Sequence, residues 1–302
     1  MKFEKSVFEI IQDRSSVRTF DGQPLPPETI AWLQDLLAGL HLGPFGRRCR
    51  LRLLDMRDFD PSQLKRFGTY GLITGTRFFI AGAVEEGPGN LEDFGHLLET
   101  AVLACAGRGL GTCWLGGVLD RSAFGDELRL APGELIPAVT PVGFAADRRS
   151  FKDKALRFMA GSANRRPWGD LFFSEAWGRP LTPSQAGPLT RAFEAARLAP
   201  SASNKQPWRL VRRAATGEVH FYLEPSAIYS RLMELAKMPA LQRVDVGITM
   251  AHFEFAAREL FADSADAGGW RFENPGLPGV PRNVSYIATW RRDEPRAPAG
   301  GR

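Results

Sequence analysis

Apolar residues recur along this chain with two periods. Between Pro27 and Pro44, Ile30, Leu33, Leu36, Leu37 and Leu40 fall three and four apart, and between Pro183 and Pro200 so do Leu189, Ala192, Phe193 and Ala196. Each set predicts a helix with one apolar face. Longer stripes follow Asp93 (Phe94, Leu97, Leu98, Ala101 and Cys105, running into Gly107 and Gly109) and Asp245 (Met250, Phe253, Ala257 and Leu260). Each aspartate suits an N-cap, and the two stripes predict the central packing helices. A further helix is read over residues 3–13. Strands are expected at 77–84, 138–145, 218–224 and 284–290, the third alternating through Val219, Phe221 and Leu223. The mixture is α+β, with a polar segment at 291–302 that reads as a disordered tail.

The pattern is duplicated. GQPLPPET at 22–29 reappears as GRPLTPSQ at 178–185, and the same offset of 156 residues relates Pro44 to Pro200 across a whole helix. DFG at 93–95 and DVG at 245–247 recur at an offset of 152, each opening one of the long stripes. Two related halves are therefore expected, residues 1–150 and 151–290.

Composition narrows the function classes. The chain has 302 residues, 44% hydrophobic and 24% charged, which is ordinary for a globular protein with a packed core. Its most apolar stretch, GLITGTRFFIAGAV at 71–84, is too short to span a bilayer and carries Arg77, and the N-terminal residues show no cleavage pattern. No membrane partner and a cytoplasmic location are expected. Three cysteines with no C-x-x-C pair and four scattered histidines encode neither a disulfide framework nor a metal site. A net charge of +5 raises nucleic acid as a partner. The one dense basic run, RRCRLR at 47–52, lacks interleaved aromatics and reads as a solvated or interface surface instead.

Four segments, in chain order, resemble the FMN-dependent nitroreductase superfamily. RSSVRTF (14–20) resembles its Arg-x-Ser-x-Arg phosphate motif, and GLGTCWLGG (109–117) its glycine-rich flavin loop. PVGFAADRRSFKDK (141–154) resembles its closing strand with basic residues behind it, and APSASNKQPW (199–208) its Pro-Ser-x-x-Asn-x-Gln-Pro-Trp loop. The glycine-rich run and the Pro-Ser loop are the specific signals; the other two gain weight from their order. Family members usually carry all of these motifs in one shorter chain that dimerises and shares its flavin between subunits. Here the first half has GPFGRRCRLR (43–52) where the Pro-Ser loop belongs, and the second half has Asp170, Leu171, Phe172 and Ser174 where the arginine motif belongs. The chain resembles a branch in which one polypeptide mimics the dimer, over residues 7–290.

That resemblance implies an FMN-dependent oxidoreductase fold and one flavin per chain, with hydride drawn from NAD(P)H and passed to a small acceptor such as a nitroaromatic or quinone by a ping-pong route. No side-chain acid or base is essential to such chemistry, because the flavin does the redox work. The implied contacts are Arg14, Ser15, Ser16 and Arg18 at the phosphate, with Lys152 or Lys154 (less so Arg148) beside them. Leu115, Gly116 and Gly117 would face the ring, and Pro200, Ser201, Ala202, Ser203, Asn204 and Gln206 the ribityl chain and ring edge. Arg14 and Arg18 offer forked donors, and each charge-assisted bond contributes about 1.5–3 kcal/mol. A monomer with an internal pseudo-dimer is expected.

Plainer readings stand beside these. Arginines after the helix at 3–13 favour its C-terminal dipole. The 199–208 loop also reads as a capped turn, although a turn does not call for Gln-Pro-Trp; Trp208 itself reads as core. Gly107, Gly109 and Gly111 suit a helix C-cap and turn. GRGLG follows a helix and so is no dinucleotide fingerprint. Cys113, without a partner histidine, reads as a buried thiol. Two wider alternatives are a flavin-sequestering protein without turnover and a nucleic-acid binder using Arg47, Arg48, Arg50 and Arg52.

Overall fold

Runs rich in Phe, Val, Ile and Trp pair into two sheets, seen in a computed structural model that describes residues 3–59, 67, 72–117, 119–146, 164–227, 231, 235, 238–262 and 268–292. The first half contains α1 (Val7–Asp13), α2 (Pro27–Gly39), β1 (Cys49–Asp55), β2 (Phe78–Glu85), α3 (Asn90–Gly107), β3 (Gly111–Thr112), α4 (Arg121–Leu128), β4 (Glu134–Leu135) and β5 (Val139–Gly143). The second contains α5 (Trp168–Leu171), β6 (Phe172–Ser174), α6 (Pro183–Ala186), α7 (Thr190–Leu198), β7 (Trp208–Arg212), β8 (Val219–Leu223), α8 (Leu241–Leu260), β9 (Gly269–Arg271) and β10 (Ser285–Arg291). Strand order is β1-β2-β5-β3 in one sheet, with β4 also on β2, and β6-β7-β8-β10-β9 in the other. The shared order maps β1, β2, β5 and β3 onto β7, β8, β10 and β9. The duplication is therefore one of topology as well as sequence. All pairings are antiparallel except β6 on β7.

The four expected strands form within a residue or two of their expected limits. Two more, β1 and β7, carry the repeat's first sheet position. The basic run at 47–52 presents its arginines on the outer side of a strand: Arg48 and Arg52 are exposed, Cys49 and Leu51 are buried in β1, and Arg50 makes a forked ion pair with Glu134 at 3.0 and 2.5 Å. The first helix starts at Val7, not residue 3, and is held from the other half. The carboxylate of Glu259, on α8, accepts from the Val7 N–H at 2.9 Å and the Ser6 hydroxyl at 3.1 Å. Arg191 of α7 lies over the Phe8 ring at 5.2 Å. The first half's amino-terminal helix therefore rests on the second half, and carries Arg14 there.

The stripes after Asp93 and Asp245 form α3 and α8, which are buried on almost every side and pack on each other inside one core drawn from both halves. Their repeated glycines mark the crossing. A Cβ on Gly95 would sit 2.3 Å from the Val244 carbonyl oxygen, and one on Gly247 would sit 2.1 Å from that of Glu92. Only glycine permits that approach. The repeated aspartates are not N-caps, because α3 begins at Asn90 after a left-handed Gly89, and α8 begins at Leu241. Their carboxylates instead reach sideways to a loop: Asp93 accepts from the backbone N–H of Phe45 and Arg47 (2.8 and 2.7 Å), and Asp245 from that of Ala202 (2.9 Å). Burial pushes both acids up, Asp93 to about 6 and Asp245 to about 8. Lys152, Lys154, Arg148 and the tail beyond Arg292 lie outside the described residues.

Candidate cofactor site

The arginine motif leaves α1 as an extended segment threaded along β3. The Val17 N–H donates to the Thr112 carbonyl at 2.8 Å, and Thr74 brackets the segment through Arg18 O (3.0 Å) and Phe20 N (2.9 Å). Gly111 is required here, since a Cβ would meet the Val17 side chain at 2.8 Å. The two-residue period of an extended chain places Arg14, Ser16 and Arg18 on one side. All of residues 14–19 are half-buried. The Nε of Arg14 is buried with no hydrogen-bond partner among the described residues. So the motif and the glycine-rich run, nearly a hundred residues apart in sequence, are neighbours.

The Pro-Ser loop is strained and over-determined. Ser203, Asn204 and Gln206 have φ of 48°, 51° and 51°, a left-handed conformation that ordinary residues avoid at a cost of about 1–3 kcal/mol each. Several bonds hold it. Besides Asp245 on Ala202, the Ser201 hydroxyl accepts from the Gln206 N–H at 3.0 Å, and the Gln206 amide binds Arg166 N (2.8 Å) and Asn164 O (3.2 Å). Asn204 donates to Asn164 O at 2.7 Å and accepts from Arg165 at 2.6 Å, while a second Arg165 nitrogen donates to Leu198 O at 2.9 Å. Buried Arg209 donates to Gln206 O at 3.0 Å and pairs with Glu224. Asn204, expected at the ribityl chain, has both ends of its amide engaged within this frame. Trp208 beyond it is fully buried.

The glycine-rich run ends beside the second half. Leu115 exchanges both backbone bonds with Val139 at 2.9 Å, and the Arg121 guanidinium gathers the carbonyls of Gly116, Ile136 and Pro137. A Cβ on Gly116 would lie 3.0 Å from Leu241, the first residue of α8, whereas one on Gly117 would meet nothing within 4 Å. Asp245, which tethers the Pro-Ser loop, is one helical turn beyond Leu241. The start of α8 is therefore where loop and glycines meet. Gly109, at φ 76°, makes the turn after α3, and Cys113 is buried.

A chain of buried bonds ties both loops together through the core. His252 Nδ1 faces the Ala195 carbonyl in α7 at 3.0 Å, its Nε2 faces Glu99 at 2.7 Å, and the other Glu99 oxygen accepts from Trp114 Nε1 at 2.6 Å. A carbonyl only accepts, so Nδ1 carries a hydrogen. The 2.7 Å contact between Nε2 and Glu99 must then hold one more proton, on the imidazole or on the acid. A reciprocal set links His96 to Glu254, which also accepts from Trp270 Nε1, each at 2.7 Å. At the helix offset of 152, His252 aligns with Thr100 and His96 with Ile248, so the two sets are alike in kind but not equivalent in position.

A family model described as "Putative TM nitroreductase" matches residues 6–257. The chain belongs to this nitroreductase family. A crystal structure described as a putative nitroreductase from Thermotoga maritima has the same fold, with TM-score 0.59, 19% identity, and coverage of 96% of this chain and 95% of that one. Shorter structures match about half the chain: a putative NADH dehydrogenase/NAD(P)H nitroreductase from Parabacteroides distasonis (20% identity, 49% of this chain, 91% of that one, TM-score 0.40) and an oxidoreductase described as containing FMN (18%, 48%, 80%, 0.40). No curated protein sequence matches the chain.

In this nitroreductase-family chain two aromatic rings stand at the positions that the internal repeat pairs with the Pro-Ser loop and the glycine run. At the offset of 156, Ser201 and Gly116 correspond to Phe45 and Phe272, as Trp114 corresponds to Trp270. The Phe45 and Phe272 rings are in contact, with centroids 4.2 Å apart. A cavity of about 390 Å³ lies elsewhere, between α2 and β1, and is lined by Leu37, His41, Cys49 and Arg52 among others. Residues that the sequence reading missed are Arg165, Asp245 as a tether, Arg121, the Glu99–His252 pair and the two phenylalanines. Among the described residues no group of three or more His, Cys, Asp or Glu could hold a metal, and no helix is long and apolar enough to cross a membrane.

Proposed function

We propose that this nitroreductase-family protein is an FMN-dependent oxidoreductase with one flavin per chain, using NAD(P)H as donor and a small nitroaromatic, quinone or similar acceptor. The observation carrying this reading is the meeting at one seam of the first half's arginine motif and glycine run with the second half's strained loop. The residues present fit the cofactor. A dianionic phosphate answers the buried Arg14 Nε, which has no partner among the described residues, and a planar ring suits the side of Gly117 that no described residue fills.

FMN, when bound, supplies a ring that takes up hydride and gives it to a second molecule. The chain's own residues bind and orient. Arg14, Ser16 and Arg18 hold the phosphate, with Lys152 or Lys154 expected beside them. Ser201, Ala202 and Ser203 present the strained loop to the ribityl chain, with Pro200 stiffening it, Gln206 and Asn204 bracing it, and Asp245 fixing its entry. Leu115 and Gly116 bring backbone close to the ring edge, where N–H groups favour electron density. Gly117 leaves one face open, so donor and acceptor take turns there. The Phe45–Phe272 contact supports a single site.

The test is the visible spectrum of freshly purified protein followed by rapid mixing with NADPH and with NADH. Flavin bands that bleach within seconds and recover on adding a quinone are the expected result. Bands that persist would make the protein a flavin carrier, and failure to take up FMN at all would end the proposal.

A further inference from the structure

Arg165 is a cation that forms no ion pair among the described residues. It precedes α5 in the second half, and its two described contacts, Asn204 Oδ1 at 2.6 Å and Leu198 O at 2.9 Å, are both neutral acceptors. The charged groups that act on it are Arg14, Arg197 and Glu194. Glu194 is already held by both arms of Arg197, at 2.7 and 2.6 Å. Burial and the neighbouring Arg14 and Arg197 cations push Arg165 down, to about 10.

Two guanidinium groups, one from each half, thus stand within electrostatic reach of each other, and neither forms an ion pair among the described residues. Like charges held near each other at half-buried positions are costly until an anion lies between them. The sequence offers no warning of this, because the offset of 156 sets Arg165 opposite Glu9, outside every motif.

We propose that Arg165, aimed by Asn204 and Leu198 O, closes over the phosphate end of the seam opposite Arg14, so that the anion clamp is built from both halves of the chain. This rests on the FMN reading above. It also explains why Asn204 is spent on protein contacts: it is a positioning residue for the clamp. The strained loop and the phosphate site then form one unit, and a ligand with a terminal phosphate is selected over one without.

Comparing FMN with riboflavin, which lacks only the phosphate, isolates the claim. Flavin-free full-length protein carrying Arg165→Gln or Arg165→Lys would be titrated with each by fluorescence quenching. Arg165→Gln is expected to weaken FMN by about tenfold or more while riboflavin stays within about twofold. Arg165→Lys, which keeps the charge but not the fork, is expected to fall between. Equal loss of both ligands would show that Arg165 only props the loop, and an unchanged FMN to riboflavin ratio in both variants would show that it does not touch the phosphate; either overturns the inference. If wild-type protein binds neither ligand, the FMN reading itself has failed.

Discussion

The Glu99–His252 pair makes an asymmetric prediction. Both side chains are fully buried, and their 2.7 Å contact is cut off from solvent. His252→Leu strands the Glu99 carboxylate with only the Trp114 N–H, and leaves the Ala195 carbonyl without a donor. Breaking one side of a buried pair costs about 3–5 kcal/mol. Glu99→Gln is different. Its oxygen still accepts from Trp114, and its amide NH2 donates to Nε2 of a neutral histidine whose Nδ1–H stays on Ala195 O. Only one amide hydrogen is left without an acceptor and no charge is stranded, so the expected cost is about 1–2 kcal/mol. In the Glu99→Gln background no charge is left to strand, and His252→Leu should cost only about 1–3 kcal/mol for the unpaired amide. Urea denaturation followed by circular dichroism measures the three differences. At roughly 2 °C per kcal/mol for a chain of this size, the single His252→Leu variant should also melt about 6–10 °C lower. If His252→Leu costs the same in both backgrounds, or less than about 1 kcal/mol alone, the proton-bearing pair is not what holds α3 to α8.

Replacing Arg14 and Arg18 together by Ala should lower FMN retention through gel filtration by at least about a hundredfold in affinity, two charge-assisted bonds being lost; unchanged retention would move the phosphate elsewhere. Gly247→Ala forces a methyl to within 2.1 Å of the Glu92 carbonyl and should cost about 3 kcal/mol or more by denaturation, whereas Gly39→Ala, with nothing within 4 Å, should be near neutral. Asp245 has a folded pKa raised to about 8 against an ordinary value near 4. The folded state then binds more protons in between, so this group's contribution to stability is whole below about pH 4 and is lost as pH rises through 8. Asp245→Asn keeps an acceptor for the Ala202 N–H and should flatten the stability profile over that range; an equally steep profile in the variant would assign the slope to another group.

Much of the molecule was legible because duplication doubles the signal. A proline pattern recurring at 156 pointed to a repeat that the matching strand orders of the two sheets share, and the Pro-Ser loop and glycine run read as motifs because their residue types are costly anywhere else. What escaped did so for physical reasons. In β1, Cys49 and Leu51 alternate with Arg50 and Arg52 at the period of a strand, but the charge density drew the eye to the arginines. Asp93 and Asp245 carry the right residue for a cap near the right place, and only the packed loop reveals what their carboxylates reach. Arg165 has no pattern at all, since its meaning comes from Arg14 arriving across the fold on α1. The phenylalanines were within reach: carrying the offset of 156 past Trp114 sets Phe272 opposite Gly116. Polar His96, Glu99, His252 and Glu254 inside otherwise apolar helices were also a readable sign, because a buried charge demands a partner.

The central claim is that two related halves have divided one site between them, with Phe45 and Phe272 in contact at the corresponding positions of the other seam. Saturating the purified chain with FMN, removing the excess and measuring flavin absorbance against protein mass tests it most directly. One flavin per chain is the predicted result; two per chain, one in each seam, would contradict it.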